Sequence, residues 1–222
     1  MEGKLRLRYS KTGKAKYISH LDLMATMSRA LIRLGVSLSY SQGYNPHPFM
    51  SVALPLSIGC GSICELMDFG IADETSLPTS FTESLTLVLP DGITILESYK
   101  PLSKFSKIAW IDIEGEMLYD NGISPSLVER LLERFNEKSI VVEKKTKRGF
   151  SDFDIAPFIK DVNIYKNEND NVLFKAKVSA QNPTINTENI IKAINGEYDD
   201  IAPDYSSFTR MDVYDSEMIV FR

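Results

Sequence analysis

The strongest constraint on this chain is an order of apolar periods that occurs twice. Lys4-Leu5-Arg6-Leu7-Arg8-Tyr9 alternates with period two, the mark of a strand with one buried face. Residues 10–14, with Gly13, read as a turn, after which 15–18 extend the pairing. Leu23, Met27, Ala30, Leu31 and Leu34 then recur at helical spacing, with Gly35 as the stop. Strand patterns return over 36–41, 50–58 and 63–71, the last two joined by the small-residue turn 59–62. A second helix is expected over 79–89, capped by Thr79 or Ser80 with Glu83 following, and a strand over 93–99. The second half repeats the order: strand 107–117, helix 124–136 opening on Ser124-Pro125, and strands 139–145, 161–165 and 172–180. Helix 187–195, stopped by Gly196, and strand 207–214 complete it, while 150–159 fits neither period.

That order, βαββαβ taken twice, predicts an α+β protein of two tandem ferredoxin-like units with antiparallel sheets. The joint falls near 101–106, giving domains 1–103 and 104–222, a division that 222 residues accommodate. Hydrophobic residues at 43% and charged residues at 25% are ordinary for a soluble globular protein. No apolar run approaches the roughly 20 residues of a membrane span. The first ten residues lack a signal-peptide core, so no membrane association and a cytoplasmic location are expected. Cys60 and Cys64 make no disulfide framework.

The net charge of -5 conceals an asymmetry. Through residue 50 the basic residues are Lys4, Arg6, Arg8, Lys11, Lys14, Lys16, Arg29 and Arg33, against only Glu2 and Asp22. Such separation fits a polyanion-binding face on an acidic body, and equally a strand and hairpin merely fringed with cations. A second basic run, 144–148, reads as a solvated hairpin or an extension of such a face.

Potential chemistry concentrates between Tyr17 and Pro55. Ser19-His20-Leu21-Asp22 matches a capping box, which gives Ser19 and Asp22 the structural task of binding first-turn amides. His20 is left over, at a helix start where unpaired N–H groups favour a neutral ring or a nearby anion. Arg29 and Arg33 lie one turn apart on the polar helix face, a spacing that can grip phosphates or simply face solvent. The loop Ser41-Gln42-Gly43-Tyr44-Asn45-Pro46-His47-Pro48 flanks its histidine with prolines. Its Gln42 and Asn45 amides suit base edges, and Tyr40 and Tyr44 suit stacking. Lys11 and Lys16 add cations nearby. His20 and His47, if brought together, could divide acid and base roles in RNA cleavage. Zinc held by His20, His47, Cys60 and Cys64 is a weaker option, since CxxxC is looser than a zinc-ribbon pair, and no motif names a cofactor.

Tyr9-Ser10-Lys11, the run 17–24 (YISHLDLM), the run 40–48 (YSQGYNPHP) and Ala53-Leu54-Pro55-Leu56 closely resemble the bacterial radical-SAM-linked protein family. That family is a domain of unknown function encoded beside, or fused to, a radical S-adenosylmethionine enzyme. The resemblance covers residues 9 to about 70. It implies a radical SAM enzyme as partner; this chain has no CxxxCxxC run and so resembles the partner rather than the iron–sulfur enzyme. The family pattern has arginine where this chain has Ala25, often arginine at Ile32, and often a basic residue at Phe49. The basic face is correspondingly thinner here. The expectation is an accessory binding protein for RNA (tRNA or rRNA) working with a radical SAM enzyme. The alternatives are an RNA-processing or RNA-modifying enzyme using His20 and His47, and a small-molecule or metal binder at the same loop.

Overall fold

A computed structural model describes residues 3–146, 149–195 and 201–222. The chain is a mixed α/β protein with four helices among the described residues and mostly antiparallel sheet. It divides into two compact units, the first ending at Lys107 and the second spanning Ile108–Phe221.

The first unit runs β1 (Gly3–Lys11), α1 (His20–Arg33), β2 (Ser37–Leu38), β3 (Met50–Val52), β4 (Gly61–Asp73), α2 (Phe81–Val88) and β5 (Ile93–Tyr99). β1 lies between β5 and β4, antiparallel to both, and the short β2 and β3 pair with β4. The register sets Leu5 opposite Phe69 and Leu7 opposite Met67. Their faces meet Leu23, Met27 and Leu31 of α1 and Phe81 and Leu85 of α2 in one core. The intervening residues, Lys4 opposite Gly70 and Arg6 opposite Asp68, occupy the face away from the helices.

Several local expectations are corrected here. Residues 13–17 form a 3-10 turn and do not extend the β1 pairing. The strand expected over 50–58 stops at Val52: Leu54 has φ +47° and Pro55 has no amide to pair. The turn expected at 59–62 is shorter, because Gly61 and Ser62 already belong to β4. Ser80 precedes α2 without a side-chain cap bond, and Glu83 accepts instead from the Thr82 hydroxyl.

The second unit runs β6 (Trp110–Leu118), α3 (Leu127–Phe135), β7 (Val141–Thr146), β8 (Gly149–Asp154), β9 (Ile159–Lys166), β10 (Val172–Ser179), α4 (Thr187–Asn195) and β11 (Tyr205–Tyr214). Its strands lie in the order β11-β6-β10-β9, all antiparallel, with β7 and β8 as a separate hairpin. The unassigned segment 150–159 is therefore mostly the return arm of that hairpin. The Ser124-Pro125 start is corrected: α3 begins at Leu127, after Ser126. Lys147 and Arg148 of the basic run and the Gly196 stop fall outside the described residues.

Gly115 on β6 faces Phe208 on β11, and a Cβ there would run into the Phe208 ring. Gly115→Ala forces that buried ring to move. We expect a loss of about 1–3 kcal/mol, read as a lower urea midpoint with unchanged slope, whereas Glu114→Ala next to it should shift the midpoint far less.

Candidate functional site

Ser19 caps α1: its hydroxyl oxygen accepts from the Asp22 amide at 3.2 Å and donates to the Asp22 carboxylate at 2.7 Å. Both residues are thereby engaged with each other at the first turn. His20, the first residue of the helix, is exposed and lines a cleft with Lys11, Leu23, Val52, Pro55 and Glu65. The cleft encloses only about 10 Å³, room for about one water.

Lys11 is not the surface cation that its sequence position implies. It is 2% exposed, and its ammonium donates to the Ile18 carbonyl at 2.8 Å and the Lys16 carbonyl at 3.3 Å. The Lys16 carbonyl also accepts from the Gly59 amide at 3.0 Å, so this cation ties β1, the 13–17 turn and the entry to β4 together. Burial lowers the Lys11 ammonium below the ordinary lysine range, opposed by the charges of Glu65 and Cys60. Lys16 itself sits 5.4 Å from the Tyr17 ring.

The 41–47 loop is closed at its base. Ser41 N–H donates to the His47 carbonyl at 2.9 Å, and His47 N–H donates to the Ser41 hydroxyl at 3.1 Å. The same hydroxyl meets His47 Nδ1 at 2.9 Å. Tyr40 and Pro48 add a β-bridge below. Gly43 supplies a φ of +128° at the tip. Gln42, Tyr44 and Asn45 are all exposed, Tyr44 completely.

His20 lines the cleft beside Lys11 and Glu65, and the His47 ring meets the Ser41 hydroxyl in its own loop. Among the described residues no group of three or more His, Cys, Asp or Glu comes together to hold a metal. The zinc set His20, His47, Cys60 and Cys64 does not form; Cys64 is buried beside the Ser62 hydroxyl at 3.7 Å. Arg29 and Arg33 are exposed and carry no ion pair among the described residues.

Sequence reasoning missed a larger concavity. Lys4, Ser39, Phe49, Ser51, Asp68 and Gly70 line a cavity of about 460 Å³ at β1, β2, β3 and β4. Its available signal was Gly70, an isolated glycine inside an apolar strand, which often marks a close approach. A Cβ at Gly70 would stand 3.0 Å from Ser39 Cβ and 3.3 Å from Phe49 Cβ.

These features define a mixed α/β protein with a cleft at His20 and a larger cavity at Gly70 on its first unit. The chain belongs to the family described as an uncharacterized protein conserved in bacteria (DUF2344), whose model matches residues 4–190. A comparison with curated proteins gives no match. Among solved structures, the chain is similar to the haem complex of the DypB N246H variant from Rhodococcus jostii RHA1, at 11% identity and TM-score 0.24, covering 92% of this chain and 91% of that one. It is also similar to the encapsulated DyP-type peroxidase of Mycobacterium smegmatis, at 9% identity and TM-score 0.22, covering 93% and 92%. Scores this low bear on neither fold nor chemistry.

Because the unfolded chain holds the Lys11 proton more tightly than the folded one, the stability this residue contributes rises with pH through the alkaline range. Lys11→Met should flatten that rise. The check is the melting temperature of both proteins as pH is raised from neutrality toward the ordinary lysine range; parallel curves would contradict it.

Proposed function

We propose that this protein is a binding module for single-stranded RNA, built from two tandem ferredoxin-like units and working in the cytoplasm with a radical SAM enzyme. The observation that carries the reading is the 41–47 loop. A wholly exposed tyrosine between two exposed amides sits on a loop whose base is pinned by three Ser41–His47 contacts. An aromatic ring exposed to water offers a stacking platform, and every base has a face to lay on it. The neighbouring amides supply donors and acceptors for base edges. The unpaired Arg29 and Arg33, one helical turn apart, supply phosphate contacts.

The tandem ferredoxin-like description is supported by the strand orders, in which each unit lays its last strand beside its first. The radical SAM partnership is supported by the resemblance of the 17–24 and 40–48 motifs to a family encoded beside such enzymes.

A short unstructured RNA should bind with an affinity that falls as salt rises, measured by fluorescence anisotropy. Tyr44→Ala should weaken binding about tenfold, within the roughly 1–3 kcal/mol of one stacked base. The double variant Arg29→Gln, Arg33→Gln should lower the salt slope by about 2 and leave base preference unchanged. Absence of binding at low salt sinks the proposal, as does a Tyr44→Ala affinity equal to the parent's.

A further inference from the structure

The 460 Å³ cavity of the first unit lies on the sheet face away from the helices, and nothing above gives it a role. Its volume falls within the range of small-ligand sites. Three observations define its chemistry. First, Ser39 is 92% removed from solvent, yet its Oγ has no hydrogen-bond partner among the described residues. A buried hydroxyl without a partner favours a ligand that supplies one. Second, the Lys4 side chain, 58% exposed, brings an ammonium to the cavity wall, where it lies 3.0 Å from the Asp68 carboxylate that Arg6 also engages, at 2.6 and 3.1 Å. Third, Phe49, whose Cβ stands 3.3 Å from the Cβ site of Gly70, lines the cavity with 54% of its surface exposed.

A cation, an unsatisfied hydroxyl and a half-exposed aromatic ring beside bare glycine backbone match one kind of ligand: an anionic head joined to a flat ring. We infer that this cavity holds one nucleotide unit, its base against Phe49, its phosphate at the Lys4 ammonium, and its sugar or base edge bonded to the Ser39 hydroxyl. Asp68 is a positioning residue, since it holds Lys4 and Arg6 in place. Gly70 keeps the floor open: its Cβ site is already crowded by Ser39 and Phe49. The unit can be a free nucleoside monophosphate or one residue of an RNA strand splayed from its neighbours. The second source rests on the RNA-binding reading; the first does not.

The test is isothermal titration of the full chain with the four nucleoside 5′-monophosphates and, separately, with a short unstructured RNA. Parent protein, Phe49→Ala, Lys4→Gln, Ser39→Ala and Tyr44→Ala are compared. Phe49 and Lys4 are exposed, so those variants leave the core intact, and circular dichroism melts verify this for all four. The inference expects at least one monophosphate to bind, with Phe49→Ala and Lys4→Gln each weakening it about tenfold. Ser39→Ala should weaken it severalfold, and Tyr44→Ala should leave it unchanged. Monophosphate binding lost in Phe49→Ala while RNA fails to bind supports the cavity and overturns the RNA-binding proposal. RNA binding that depends on Tyr44 but not on Phe49, without monophosphate binding, overturns the cavity inference alone. Binding of neither ligand overturns both.

Discussion

The first unit depends on one buried ion pair. Arg6 is completely removed from solvent, and a guanidinium there is tolerable only with its charge and donors met. Asp68, itself 2% exposed, accepts from it through both oxygens, the Ser103 carbonyl takes another N–H at 2.8 Å, and the Phe105 ring lies 4.3 Å from its carbon centre. Arg6 and Asp68 are direct cross-strand partners, so the pair locks the register of β1 on β4. A one-residue slip would turn Leu5 and Leu7 out of the core and strand the charge at once. From that register follow both the position of Lys4 over Gly70 at one end of β1 and that of Lys11 beneath the start of α1 at the other.

The same pair shows why charge counting overstated the basic face. Of the eight cations in the first fifty residues, Arg6 and Lys11 are buried, Lys4 is bound to Asp68, and Arg8 is bound to Glu97 at 2.6 Å. The Arg8 hydrogen bond holds the Glu97 carboxyl below its usual range. The cations left exposed without an ion pair on α1 are Arg29 and Arg33. The surface proposed for RNA thus relies more on aromatic rings and amides than on charge, which suits single-strand base stacking better than a grip on duplex phosphates.

Strongly periodic elements were legible from the sequence. β1, α1, β5 and α4 lie where the alternation or the helical spacing puts them, because each buries one clean face. What was illegible depends on long-range partners. Alternation assigns Arg6 outward, but a strand covered on both faces buries its polar set as well, and only the fold supplies Asp68 and Phe105. The apolar run 50–58 reads as one strand, yet a positive φ at Leu54 ends it just before Pro55, whose missing amide is the one sign of the break in the sequence. Phe49 was noted only as lacking a basic residue; its use as an aromatic wall becomes visible once β2, β3 and β4 are side by side.

The measurement that bears most directly on the proposed RNA surface is photo-crosslinking of the full chain to a short RNA carrying 4-thiouridine, with the adducts located by mass spectrometry. Adducts on Tyr44 and Phe49, lost in competition with unlabelled RNA, are the predicted result. Adducts confined to residues after Lys107, or a pattern that competitor RNA does not displace, would contradict it.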